Sequence, residues 1–286
     1  MNSHASLTHI DFSPRGYEQL LIHLDRQYKV AWCYMQPTGR PCFSAALLSN
    51  LINWCEFVGQ NASRMGIKYH VIASSTPYTF SLGGDLELFK LHIRNGDRQA
   101  LLEYGMACID PLHANIRHFD QDVTTLSLVQ GHALGGGFET ALSSDVVIAE
   151  RQARLGFPEI MFNLFPGMGA YSLLARKLDP KRAEKMILSG KIYAAEELHE
   201  EGLIDILVDE GDGEEAVYDY IKRENRAPNG FRALRKVRDY VNPISHEELA
   251  HIVEIWVDAA MRLNERDLRM MGRLVARQQH QVAAAA

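Results

Sequence analysis

Two runs of glycine stand a short way downstream of mainly apolar stretches: YHVIASS (69–75) leads into a loop holding Gly83 and Gly84, and TLSLVQG (125–131) runs almost directly into Gly135, Gly136 and Gly137. Short apolar runs with no polar face are what strands buried on both sides look like, and such strands belong to sheets covered by helices. Glycine lets a backbone take positive φ or approach a ligand closely, so both loops are able to aim N–H groups at one oxygen. The second cluster opens the helical pattern FETALSSD, whose first amides add positive partial charge at the same place. Each cluster taken singly reads equally well as turn punctuation.

The rest of the chain alternates in the same way. QLLIHLD and KVAWCYM, around a charged turn, predict a hairpin over 19–35. Apolar residues at helical spacing predict a helix over 43–64, and a helical region follows over about 86–118. VVIAE (146–150) and LIDILV (203–208) read as further strands, with helices over about 170–201 between them. Such alternation predicts an α/β fold with crossover connections. The stretch 244–280 carries almost no strand signal and places Leu249, Ile252, Ile255, Trp256, Ala259 and Leu263 on a helical stripe. The expected organisation is a core over 1–210, a helical region over 211–280 and a disordered tail over 281–286.

Charge and cysteine content exclude several classes. Thirty basic against 36 acidic residues leave a net charge of −6, with the basic residues scattered. Neither a nucleic-acid backbone nor an anionic membrane surface is an expected partner. No segment reaches 18 apolar residues, and MNSHASLTHIDFSPRG lacks a basic flank before an apolar run, so a cytoplasmic location is expected. Cys33, Cys42, Cys55 and Cys108 have no CxxC spacing and are expected to be reduced thiols. His246 and His251, five apart on a helix, are out of phase for one metal ion, and no metal site is expected.

Glu139 and Glu159 follow the second glycine cluster at its helix start and in a later loop. Phe138 and Leu142 flank the first, and Phe157, Ile160 and Met161 the second. Apolar surroundings raise a carboxylate pKa toward neutrality. Two such groups beside an oxyanion hole suit proton transfer at the carbons α and β to a carbonyl, although glutamates at helix starts are common on surfaces.

In chain order, SLGGDL (81–86), SLVQGHALGGGFE (127–139), SSDVVIA (143–149), LGFPE (155–159), PGMGA (166–170) and SGKIYAAEELHEEGLID (189–205) resemble the signature segments of the crotonase, or enoyl-CoA hydratase/isomerase, superfamily. The resemblance implies an α/β spiral of ββα units with a helical C-terminal part, assembled as a homotrimer or hexamer. It implies Glu139 and Glu159 as the catalytic pair, with oxyanion N–H groups from Gly136 and from the Leu82–Gly83 region. The aromatic-rich MFNLFPGMGAY, Asn163 in place of a common glycine, the long stretch from Asp85 to Glu139, and EIWVDAAMRL are similar to the diffusible-signal-factor synthases.

That subgroup implies dehydration of a 3-hydroxyacyl thioester on acyl carrier protein, then thioester hydrolysis, to release a cis-2-unsaturated fatty acid used in quorum sensing. It implies an acyl pocket lined by Met168, Trp256 and Leu274, and a sensor-kinase receiver domain as a protein partner. Spacing alone makes the same three residues plain core. The chemistry calls for no cofactor. The alternatives are an enoyl-CoA hydratase or isomerase of fatty-acid metabolism, or a catalytically silent protein that binds a partner.

Overall fold

The structure is a computed structural model that describes the backbone of residues 16–285 and the side chains as far as residue 278. The start of the chain, on which the expected location partly rests, lies outside the described residues. The hairpin β1 (Leu20–Asp25) and β2 (Val30–Met35) leads to α1 (Ala45–Met65). Next come β3 (Tyr69–Ser74), β4 (Thr79–Ser81), α2 (Leu86–Asn95) and α3 (Arg98–Ile116). They are followed by β5 (Thr124–Val129), β6 (His132–Leu134), α4 (Gly136–Leu142), β7 (Val146–Glu150), β8 (Arg154–Gly156), α5 (Ala170–Lys177) and α6 (Pro180–Ser189). The chain continues through β9 (Ile192–Ala194), α7 (Ala195–Glu200), β10 (Ile206–Val208), α8 (Gly213–Glu224), α9 (Pro228–Val241), α10 (His246–Ala260) and α11 (Glu265–Ala285).

Two strands and then helix is the repeating unit; after the opening hairpin, the two strands of each unit, β3 and β4, β5 and β6, and β7 and β8, go to different sheets. One sheet has the order β1-β2-β3-β5-β7-β10 and the other β4-β6-β8-β9. All pairs in the first sheet except β1–β2 are parallel. The α/β spiral expected from the sequence is therefore the fold of this chain.

Side-chain alternation makes the larger sheet two-faced. Val30, Trp32, Tyr69, Val71, Leu126 and Leu128 pack on α8 through Val217 and Ile221. Ala31, Cys33, Met35 and Ile72 face the main core, which α1, α3, α4, α5 and α10 complete. Burial on both faces is why these strands read as unbroken apolar runs.

The single helical region expected over 86–118 divides at Gly96, whose φ is 67°, and Asp97, which caps α3 by accepting from Ala100 N–H. After α3, three consecutive non-glycine residues, His118, Phe119 and Asp120, take φ of 55°, 56° and 53°. A left-handed turn of L-residues costs roughly 1–2 kcal/mol per residue. The α11 backbone runs through 281–285, where a disordered tail is expected, in keeping with the high helix propensity of an alanine run. The four cysteines are free thiols. Among the described residues no helix is long and apolar enough to cross a membrane.

Candidate active site

The two glycine loops, 50 residues apart in sequence, interlock. A Cβ on Gly83, whose φ is +87°, would lie 2.6 Å from Leu134 O and 3.0 Å from Gly136 N. A Cβ on Gly137 would lie 2.4 Å from Ser81 O. Only glycine permits that approach, and it brings the two strand ends to one point. Gly135, at φ +52°, has another neighbour: its Cβ would stand 2.1 Å from Glu159 Oε1. Glycine there makes room for the carboxylate.

Gly136 is the first residue of α4, and its N–H has no acceptor among the described residues. In the first loop, Leu82 N–H donates to Pro41 O at 2.8 Å and Gly83 N–H to Ser81 Oγ at 3.2 Å. Both amides expected from the resemblance are thus already used. Gly84 N–H has no acceptor among the described residues, and Gly84 lines the same cavity as Gly136. The first loop's available donor is one residue beyond the expected pair, and the adjacent glycines of SLGGDL hold the signal for it. α4 has seven residues, so its contribution is the individual Gly136 amide rather than a long helix dipole.

Glu139 sits one turn into α4, 1% exposed. Its Oε1 accepts from Met168 N–H and Ala170 N–H, both at 2.9 Å. Burial outweighs those two donors and pushes its pKa up to about 7. Glu159 opens a short 3₁₀ turn, Glu159–Phe162, after Pro158. The residue as a whole is half-buried, yet its Oε2 is buried with no partner. Burial first, and the neighbouring Glu139 second, push its pKa up to about 8.

Both glutamates, Gly84 and Gly136 line one cleft, with about 1030 Å³ of space between atoms including its open mouth. Met168, Trp256 and Leu274, from three separate stretches of chain, line it too. Trp256 is 2% exposed, meets Phe89 edge-on with ring centroids 5.0 Å apart, and lies so near Gly167 that a Cβ there would be 2.3 Å from the indole. Met168 has two roles, since its side chain lines the cleft while its amide holds Glu139. The tie between PGMGA and Glu139 is not legible in the sequence, because it runs through backbone N–H groups.

Two amides with no acceptor among the described residues, two carboxylates with raised pKa and an apolar cleft thus lie together on the α/β spiral that the resemblance implied. The sequence profile of the Enoyl-CoA hydratase/isomerase family matches residues 35–272, and the chain belongs to that family. Among curated relatives it is 32% identical to the 2,3-dehydroadipyl-CoA hydratase of Escherichia coli (strain K12) over 169 residues, 59% of this chain and 61% of that protein. The match thus spans less than two thirds of that relative's length. Among solved structures the fold matches Pseudomonas aeruginosa DspI with a TM-score of 0.68 at 23% identity, covering 83% of this chain and 93% of that one. It matches the enoyl-CoA hydratase from Bacillus halodurans with a TM-score of 0.76 at 19% identity, covering 89% and 99%.

Proposed function

We propose that the protein dehydrates a 3-hydroxyacyl thioester to the cis-2-enoyl thioester and then hydrolyses it to the free acid, as a synthase of an unsaturated fatty-acid signal. The observation that carries this reading is the pair of carboxylates, Glu139 and Glu159, beside two amides that have no acceptor among the described residues, in one apolar cleft. The thioester C=O accepts from Gly136 N–H and Gly84 N–H, which stabilises the enolate formed when Cα loses its proton. Glu159 takes that proton, and Glu139 gives one to the β-hydroxyl, which leaves as water; exchange of the two roles gives the same products. In the second step water adds to the carbonyl in the same oxyanion site, and the carrier thiol leaves with a proton. One water is released and one consumed, so no oxidant or reductant is needed.

Retention of both glutamates supports dehydration or hydration over isomerisation. The name of the E. coli relative supports the second reading, hydration of an enoyl-CoA without thioester cleavage. Matched 3-hydroxyacyl thioesters on acyl carrier protein and on CoA, with products analysed by mass spectrometry, separate the two. Free cis-2-enoic acid is the expected product. Reversible hydration of enoyl-CoA with no free acid would overturn the synthase reading in favour of the hydratase.

A further inference from the structure

The Gly84 amide owes its direction to its neighbours. Gly83 O and Gly84 N–H belong to one trans peptide, so they point opposite ways. Phe43 N–H donates to Gly83 O at 2.9 Å, and Phe43 and Gly84 pair as a parallel bridge. Gly84 N–H is therefore turned away from the Phe43 backbone. On the far side of Gly84, the Asp85 carboxylate is fixed as well. Its Oδ1 accepts from Arg40 Nη2 at 2.8 Å and caps α2 by accepting from Glu87 N–H and Leu88 N–H. Glycine has the widest backbone freedom of any residue, so an amide inside SLGGDL keeps one direction only if the residues around it are held.

One side chain ties the two supports together. Tyr104 of α3 is 6% exposed, and its hydroxyl donates to Phe43 O at 2.6 Å while accepting from Asp85 N–H at 3.0 Å. The roles follow from chemistry, because a carbonyl only accepts and an amide N–H only donates. Burial raises the Tyr104 pKa well above its usual value, so the hydroxyl keeps its proton throughout the range in which the glutamates titrate. The Phe89 ring meets the Tyr104 ring edge-on at 5.1 Å, and a Cβ on Gly84 would lie 2.5 Å from that Phe89 ring. Tyr104 stands behind the loop and is not among the described residues that line the cleft.

We propose that Tyr104 is a positioning residue for the reaction: its hydroxyl, bonded at once to Phe43 and to Asp85, aims the Gly84 N–H at the thioester oxygen. The inference rests on the reading of Gly84 as an oxyanion donor and extends it to the residue that holds the donor still. Such a donor works because it is oriented before charge develops on the oxygen. A misplacement of about 1 Å is enough to cost about 10²-fold in rate.

Two variants that keep the ring test this: Tyr104→Phe, which has neither donor nor acceptor, and Tyr104→4-aminophenylalanine, whose amine is a weaker donor toward Phe43 O. The probe is a ketone analogue of the acyl thioester, with a methylene in place of sulfur and an isotope label on the carbonyl carbon, which cannot be hydrolysed. Bound to the wild type, its C=O stretch in difference infrared spectra is expected to lie below that in an aprotic solvent, because two amides polarise it. The lowering should be intermediate in the amine variant and smallest in Tyr104→Phe. In Tyr104→Phe, kcat should fall roughly tenfold to a hundredfold with KM within a few-fold of wild type, since the acyl contacts are untouched. The comparison of wild type with the amine variant stands even if Tyr104→Phe unfolds. Equal lowering in all folded proteins, or a raised KM at unchanged kcat, would overturn the role of Tyr104 while leaving the oxyanion reading intact. No lowering in the wild type would overturn both. A lowering that depends on Tyr104, in a protein that releases no enoic acid, would uphold the positioning role and reject the synthase.

Discussion

Glu139 meets its burial with two amide donors, whereas Glu159 leaves Oε2 with none and faces the neighbouring Glu139, and burial holds both pKa values up, at about 7 and about 8. Between those values the pair holds one proton and one negative charge, an acid and a base together. The rate profile for dehydration is expected to be bell-shaped with its maximum in that interval. Glu139→Gln and Glu159→Gln should each lower kcat/KM by at least about 10²-fold; activity within a few-fold of wild type in both would exclude the mechanism. The same shifts govern stability. An unfolded glutamate ionises near 4.5, so as pH rises from there to about 8 the unfolded chain has released protons that the folded chain still holds. Stability therefore falls with rising pH across that window and is fully present below it. Glu159→Gln has no such proton to lose. Its unfolding free energy relative to wild type, from denaturant titrations, should climb between mildly acid and mildly alkaline buffer by an amount on the order of a few kcal/mol. A pH-independent difference would show that Glu159 is solvated.

At the level of the elements, α4 joins its N-terminal glycine to catalysis. Gly136 occupies its first helical position, where proline is readily accommodated because no helical N–H bond is lost. A Cβ there meets nothing nearer than 3.5 Å, at the Phe43 ring. Gly136→Ala should fold and keep activity, since it keeps the N–H. Gly136→Pro should fold, as judged by circular dichroism, yet lose roughly 10²- to 10³-fold in kcat, the usual worth of one oxyanion donor. Full activity in the folded proline variant would remove Gly136 from the site. Much of this frame is legible in the sequence: the hairpin, α1, β3, β5 and β7 carry apolar runs or stripes long enough to show a period. The strands β4, β6, β8 and β9 are three residues each, too short for an alternation, and they form the second sheet that brings the glycine loops together. The break between α2 and α3 has its sequence signal, Gly96 before Asp97, but the apolar spacing runs on through it. The left-handed turn at His118–Asp120 has none, because no glycine stands there to suggest positive φ.

On the scale of the whole molecule, the C-terminal helices divide their work. α10 and α11 bring Trp256 and Leu274 to the cleft, and Asn163 Nδ2, beside the catalytic turn, donates to Asp267 Oδ2 of α11 at 3.3 Å. α9 stands apart because none of its residues is buried. Arginines anchor it: Arg235 bonds Thr124 and Asp122, and Arg238 bonds Asp145. Next to Arg238 it carries Leu234, Val237 and Val241, 70%, 57% and 65% exposed and spaced three and four residues apart as one helical face, with Tyr240 at 88% beside them. A contiguous apolar face of this kind is a contact surface far more often than an accident, and the family resemblance implies a trimer or hexamer. The expectation is that copies of this chain associate through α9. Sedimentation velocity at micromolar concentration should find a wild-type oligomer, and Leu234→Glu combined with Val237→Glu should shift it to monomer. Because both side chains are exposed in the single chain, their replacement should leave circular dichroism and the monomer's own packing unchanged. A wild-type monomer, or a charge variant that still assembles, would show that α9 is not the contact.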